Sequence, residues 1–445
     1  MKLKQIFGFF LLTGIIVSSS LQAQTKKWTL EECIQYATEN NIQLKRQEIA
    51  SSQSEENYKQ SKAELLPSVN FSAQHGFKFG KVLDYATYTY VDQSTQSGNA
   101  NLNSNLTLFS GLQNYNNIKR TQYNYLSALA NVDKAQNDLT LNISMAFLDI
   151  LFFKEDVKLA EEQLAITKDQ IAKTEKLIEV GSSAKGDLLE IKAQAASEEL
   201  ALIEKGNNLN LATLRLTQLL NLEDTTNFAI AVPDDLSVSS ISALQKIQTI
   251  YEEAIQTLPE IQIAEYNVKS NQAYLKMQKG QLSPSLTFNV AYGSWYSQTL
   301  KEISDYNEQL QDNAETQFAF SLQIPIFNKM RTKRNIANAK FSVEDAKWQL
   351  EEQKQAIYKT IQEAHAKATA AYEKYQAGGE TVRAMQEAFN YTEQKYDVGL
   401  VDIIEYKIAK KNLTDAQTSL IQAKYDFIFR TKILDFYQNQ QFTLN

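Results

Sequence analysis

LQNYNNIKRTQYNYLSALANVDKAQNDLTLNISMAFLDILFFKEDVKLAEEQLAITKDQIAKTEKLIEV, residues Leu112 to Val180, runs for 69 residues without proline or glycine. Its apolar residues recur at steps of three and four: Leu126, Leu129, Val132, Leu139, Ile143, Phe147, Ile150, Val157, Leu164, Ile171 and Ile178. That spacing places one apolar stripe along one side of an α-helix, with Lys, Glu, Asp, Gln and Asn on the rest of its surface. At 1.5 Å per residue the rod is roughly 100 Å long, more than an ordinary globular domain uses. A second rod extends from Lys329 to Tyr396 with the same pattern, from Ile336 and Val343 to Met385 and Phe389. Its one interruption is Gly378-Gly379.

The two rods belong to a duplication. Residues Ala37 to Phe71 match Ala254 to Phe288 without a gap, including Pro67-Ser68 on Pro284-Ser285. Further on, Phe109 matches Phe327, Val180-Gly181 matches Val398-Gly399, and Leu202-Ile203 matches Leu420-Ile421. The expected organisation is a leader over 1–23, a first repeat over 24–222, a connector over 223–243 containing Pro233 and Asp234-Asp235, and a second repeat over 244–445. Each repeat begins with a helix, about Leu30 to Leu66 and about Leu244 to Leu282. Pro259 marks a kink or a fresh start in the second, and Pro67 and Pro284 end them. Each closes with a shorter helix, Asp187 to Leu220 and about Asp402 to Tyr437.

Between first helix and rod lie segments of period two. Val69, Phe71, Ala73, Phe77 and Phe79 alternate with Asn70, Ser72, Gln74 and Lys78, and Leu102, Leu106 and Leu108 alternate with Asn101, Asn103, Asn105 and Thr107. In the second repeat Leu286, Phe288, Val290 and Tyr292 form one such series, and Phe318, Phe320, Leu322 and Ile324 another. Polar loops, Lys81 to Asn99 and Ser294 to Glu315, join each pair. A sheet with one greasy and one polar face suits either a soluble core or a membrane barrel with water inside. Strands of about 9 to 12 residues, the leader and the aromatic content favour the barrel. Four strands cannot close one, and open edges are not tolerated in lipid, so the barrel must be shared between chains.

Composition narrows the function. The formal net charge is -7 with no basic run, which argues against nucleic acid binding. Lys2 and Lys4, the apolar run Ile6 to Val17 and the small residues before Ala23 read as a secretory signal. The lone Cys33 sits in a helical apolar pattern and makes no intrachain disulfide. His75 and His365 have no clustered acidic or cysteine partners, and no metal-ligand spacing, phosphate loop or nucleophile motif occurs, so neither enzyme chemistry nor a cofactor or metal is expected. The loop aromatics Tyr85, Tyr88, Tyr90, Trp295, Tyr296 and Tyr306 fit an interfacial role.

The turns after the rods read VGSSAKGDLLE, Val180 to Glu190, and VGLVDIIE, Val398 to Glu405. Gly181 and Gly399 fit left-handed helix C-caps. Asp187-x-x-Glu190 and Asp402-x-x-Glu405 each fit an N-capping box, a structural role that needs no channel. The flanking helices align without a gap, which instead sets Asp187 opposite Glu405. If several chains surround one axis, those turns form a ring about 100 Å from the strands, and Asp and Glu there make a cation-favouring constriction.

The leader, the duplication, the Leu-Pro-Ser start of each strand pair and the Val-Gly turns together resemble the TolC-like outer membrane efflux family, over nearly all of the mature chain. The fold class expected is mainly α with a small membrane β-barrel, built from a duplicated helix–strand–loop–strand–long helix–helix unit. The resemblance implies a homotrimer with a twelve-stranded barrel in outer-membrane lipid and a twelve-helix α-barrel in the periplasm. A periplasmic adaptor docking at the tips Gly181 and Gly399, and an inner-membrane RND or ABC pump, are also implied. By motif, the gate residues carried over are Asp187, Glu405 and Tyr396. Val401 departs from the family's arginine and Ile408 from its second acid, so a different set of contacts is expected at the closed tip, with Glu190 partly replacing the missing charge. The competing classes are a structural coiled-coil stalk or adhesin, which two strand pairs set between helices fit poorly, and an enzyme.

Overall fold

The computed structural model describes residues 27–438 apart from 85, 182, 224, 226, 227, 234–244 and 302. The expected leader, Tyr85 and part of the connector lie outside the described residues.

In chain order the first repeat comprises β1 (Lys27–Trp28), α1 (Leu30–Asn40), α2 (Ile42–Ala63), β2 (Ser68–Lys78), β3 (Lys81–Asp84), β4 (Thr89–Asp92), β5 (Thr95–Phe109), α3 (Gln113–Glu179) and α4 (Lys185–Leu220). After β6 (Ala229–Ile230) come α5 (Ile247–Thr257), α6 (Pro259–Gly280), β7 (Ser285–Ser297), α7 (Tyr306–Asp312), β8 (Glu315–Gln323), α8 (Arg331–Asp397) and α9 (Ile403–Tyr437). Helices and strands thus recur in the same order, with each boundary up to the first strand repeating 217 residues on and each rod boundary 218 on. Both rods are 67 residues long.

Several expectations are corrected. The first helix breaks between α1 and α2 at Asn41, whose side chain accepts from the backbone N–H groups of Gln43 and Leu44 and donates to the Leu219 carbonyl at 3.0 Å. Asparagine is a strong N-cap, and that preference outweighs the continuing apolar pattern. Pro259 starts α6 at the equivalent position. Gly378-Gly379 does not interrupt α8; a Cβ on Gly378 would lie 3.3 Å from Leu420 Cδ1, so the small residue lets α9 come close. The expected polar loops are structured: one holds the β3–β4 hairpin, the other a turn of 3-10 helix and α7.

The four long strands form one antiparallel sheet ordered β2-β5-β7-β8. Its register puts Phe71 opposite Leu102, Leu102 opposite Tyr292, and Phe288 opposite Phe320, so the apolar series of all four strands share one face. The other face carries Asn70, Ser72, Asn101, Asn103, Thr287, Asn289, Gln317 and Ser321. A one-residue slip would exchange the faces, so the alternation fixes the register. Both β2 and β8 have an unpaired edge. Among the described residues no helix is long and apolar enough to cross a membrane.

Each rod leaves its strand through two consecutive left-handed residues, Gly111-Leu112 and Lys329-Met330. At the first corner Gly111 presses on Gly280: a Cβ on Gly111 would sit 2.3 Å from the Gly280 carbonyl oxygen. Below the sheet the helices pack around three apolar clusters. The largest joins α1, α3, α4 and α9 through Leu30, Ile143, Phe147, Leu216 and Ile428. A second joins α5, α6, α8 and α9 through Ile250, Ile261, Ile361 and Leu434. The third, around Ile191, Phe389, Ile403, Tyr406 and Leu413, sits beside the turns at the far end of the rods. Each fully buried side chain of this kind contributes about 1.5 to 3 kcal/mol.

Candidate functional site: the helix tips

The rods end in matched turns. Gly181 and Gly399 both have φ +76, the left-handed conformation, and nothing lies within 4 Å of a Cβ placed on either. Glycine is needed there for its backbone, not for space. At the second turn Gly399 N–H donates to the Tyr396 carbonyl at 3.0 Å and Leu400 N–H to the Lys395 carbonyl at 2.8 Å, the paired bonds of a Schellman cap. At the first, Gly181 N–H donates to the Ile178 carbonyl at 3.0 Å.

The expected capping boxes are only partly present. Asp402 is the N-cap of α9 and accepts from Glu405 N–H at 2.9 Å. Helix α4 starts two residues before Asp187, with Ala184 as an N-cap that makes no side-chain hydrogen bond. Asp187 and Glu405 are therefore each the third residue of their helix, as the gapless alignment sets them. The reason is local: Ser183 lies outside the helix and its hydroxyl donates to Asp187 Oδ2 at 3.1 Å, holding the carboxylate over the first turn, where the helix dipole favours it.

The candidate gate residues have different surroundings. Glu405 is exposed. Asp187 is half-buried and close enough to Tyr396 to act on its ionisation. Burial pushes the Tyr396 hydroxyl above its usual range, and the Asp187 and Asp397 carboxylates push it further. The Tyr396 ring packs 5.1 Å from that of Tyr406, which in turn lies 5.5 Å from Phe389. Tyr406 is buried and its hydroxyl has no hydrogen-bond partner among the described residues; burial likewise raises its ionisation. Glu190 does not stand as a free charge, because Lys407 Nζ lies 3.0 Å from its Oε2. Val401 is half-buried, and Ile408 is exposed in a groove of about 480 Å³ between α4 and α9, lined also by Ile404, Lys407 and Lys411.

One group at the tips was missed in the sequence. Lys410, two turns into α9, is 3% exposed. Its Nζ donates to Glu198 Oε1 at 2.9 Å and Oε2 at 3.2 Å, to the Gln163 carbonyl at 2.7 Å, and to the Thr167 hydroxyl. Thr167 itself donates to Glu198. The cluster therefore ties α9 of the second repeat to α3 and α4 of the first. Burial holds the Lys410 ammonium below its usual range, against the pull of Glu198. A signal was available: Ile403, Tyr406, Lys410 and Leu413 fall at helical spacing, so the lysine stands in an apolar stripe. A lysine there is either snorkelling or paired, and only packing decides which.

The model of the family described as "Outer membrane efflux protein" matches residues 33–222 and 250–429, one segment in each repeat. The chain is 21% identical over 422 residues to the outer membrane efflux protein BepC of Brucella suis, covering 94% of this chain and 86% of that one. It is 21% identical over 297 residues to the outer membrane protein TolC of Vibrio cholerae, 66% of either chain. Among solved structures, CusC superposes with a TM-score of 0.80 at 18% identity over 93% of this chain and 92% of its own. VceC of Vibrio cholerae superposes with a TM-score of 0.78 at 15% identity, covering 93% and 97%. This chain belongs to the outer membrane efflux protein family, whose members are outer-membrane channels.

Proposed function

We propose that the chain is one of three identical subunits of a passive exit duct, spanning the outer membrane and periplasm and gated at the helix tips. The observation that carries the reading is the four-stranded sheet with one predominantly apolar, exposed face and two open edges, mounted on rods about 100 Å long. Three copies supply twelve strands, enough to close a barrel and remove every edge. The duct performs no chemistry; energy comes from an inner-membrane RND or ABC pump, joined through a periplasmic adaptor at the Gly181 and Gly399 tips. Asp187 and Glu405 form the acidic part of the constriction. The Tyr396–Tyr406–Phe389 stack ties α8 to α9 within the second-repeat hairpin, and the Lys410–Glu198 pair holds that hairpin against the first-repeat hairpin, α3 with α4. Opening separates the two hairpins. A stalk without transport has less support, since nothing in a solid coiled coil requires a two-faced sheet between its helices.

The test is electron microscopy of the purified protein together with conductance in planar bilayers. A hollow three-fold particle that conducts ions is expected. A solid fibre, or a particle that leaves the bilayer insulating, refutes the duct.

A further inference from the structure

At the end of the sheet away from the rods, the two strand connections fold onto opposite faces. The α7 segment lies against the apolar face. The Tyr306 hydroxyl accepts from Gln96 Nε2 at 3.0 Å and its ring packs 5.1 Å from that of Tyr296. By register Gln96 and Tyr296 continue the apolar series of β5 and β7. The β3–β4 hairpin turns the other way, with Gln93 N–H donating to the Gly80 carbonyl at 3.1 Å to close its base. Its Val82 and Leu83 share a cavity of about 420 Å³ with Lys78, Ser97 and Asn99, which continue the polar face.

The lining of this cavity is one-sided in charge. Lys78 and Lys81 line it and no carboxylate does. Among the described residues neither ammonium has a carboxylate within ion-pair distance. Asp92, opposite Lys81 in the hairpin, is exposed and outside the cavity. The chain as a whole has 52 acidic residues against 45 basic ones, so the bias is local. Three other grooves carry acids of their own: Glu344 and Glu351 on α8, Asp149 and Asp426 between α3 and α9, and Glu198 between α4 and α9. The remaining polar lining suits hydroxyl groups. It holds the Asn99 amide and the Ser297 and Thr299 hydroxyls, which lie 3.0 Å apart. Ser297 is buried, and its N–H donates to Gln309 Oε1 at 2.8 Å, so this part of the wall is fixed. Val82, Leu83 and the Trp295 indole supply apolar surface.

We infer that the cavity binds an anionic saccharide from the external medium. Its volume is in the range of small-molecule sites and holds one or two sugar rings. The two ammonium groups take the carboxylate or phosphate, the strongest polar contact on offer. The Asn99 amide and the Ser297 and Thr299 hydroxyls exchange hydrogen bonds with ring hydroxyls, and the apolar surface packs on the C–H face of the ring. Other anions fit less well. A fatty acid would bury the amide and hydroxyls without partners. A neutral sugar would draw two ammonium groups from water with no counter-charge. The cavity itself stands on the sheet and hairpin alone. Its place inside the outer mouth, one site per chain, rests on the duct reading, in which the polar face lines the barrel and the rods point to the periplasm.

The experiment is isothermal titration calorimetry of the full chain at low ionic strength with glucuronate, glucose and acetate, which separate ring from charge. Glucuronate is expected to bind roughly tenfold more tightly than either of the others. Lys78→Gln and Lys81→Gln should each bring it down to the glucose level, while Lys45→Gln on α2 leaves it unchanged. All three lysines are exposed, so the substitutions spare the core. Acetate binding as tightly as glucuronate overturns the saccharide, and affinity unmoved by Lys78→Gln and Lys81→Gln overturns the site. In planar bilayers glucuronate added on the strand side should lower conductance at smaller concentrations than on the tip side, with Lys78→Gln relieving the block. Block that is equal or stronger from the tip side overturns the external source. A particle that binds glucuronate but conducts nothing keeps the site and refutes the duct.

Discussion

Replacing Lys410 by methionine removes a cation from a site where its ammonium satisfies Glu198, Thr167 and the Gln163 carbonyl. The methionine fills nearly the same volume, so the effect is electrostatic. Glu198 is left 15% exposed without its partner. Breaking one side of a buried ion pair costs about 3 to 5 kcal/mol. The remaining exposure of Glu198 places this case near the lower figure, about 3 kcal/mol. If the cluster holds the tip closed and is lost on opening, that cost falls on the closed state alone. At 1.4 kcal/mol per tenfold, the open-to-closed ratio rises about 150-fold. Glu198→Gln moves the ratio the same way. The double variant Lys410→Met/Glu198→Met removes both charges and leaves apolar groups of similar volume, which is close to neutral for such pairs. It is expected to return most of the way to wild type. The assay is single-channel open probability in planar bilayers, read as a double-mutant cycle. Open probabilities of the single variants within threefold of wild type, or a double variant as open as the singles, refute the latch.

Four further outcomes are expected. Asp187→Asn with Glu405→Gln lowers cation selectivity, read from reversal potentials in a salt gradient, whereas Glu190→Gln changes it little because Lys407 already pairs that carboxylate; equal effects from all three contradict the assignment. Neutral Tyr396 is favoured in the closed tip because burial raises its ionisation above the ordinary value of 10.0. Its contribution is thus complete below pH 10 and is lost as pH climbs through the raised value. Open probability should rise on that alkaline limb, and Tyr396→Phe should flatten it; superimposable limbs count against the role. Gly399→Ala adds only the left-handed penalty, about 1 kcal/mol, since its Cβ meets nothing. Gly111→Ala meets the Gly280 carbonyl as well, so its thermal midpoint should fall further than that of Gly399→Ala, which differential scanning fluorimetry of the assembled particle reads directly.

Much of this molecule was legible without coordinates. The rods, the four strands and the glycine tips are written in local periodicity and in residues whose backbone preferences are strong, and the repeat makes each signal occur twice. Helix ends were less secure. Asn41 breaks a helix that the apolar pattern alone would carry through, and Ala184 opens one that the Asp187 to Glu190 spacing placed later. In both cases a side chain outside the pattern decides: Asn41 reaches the Leu219 carbonyl, and Ser183 holds Asp187.

By itself the sequence determined the elements, their order and their duplication, because each follows from the spacing of residues along one element. Tertiary structure alone decided which charges are spoken for. Glu190 reads as a free acid until Lys407 is set beside it, and Lys410 reads as one more surface lysine until α3 and α4 close over it. Those contacts join residues more than two hundred positions apart. The free energy of a charge depends on its neighbours and on its distance from water, and neither is carried by periodicity.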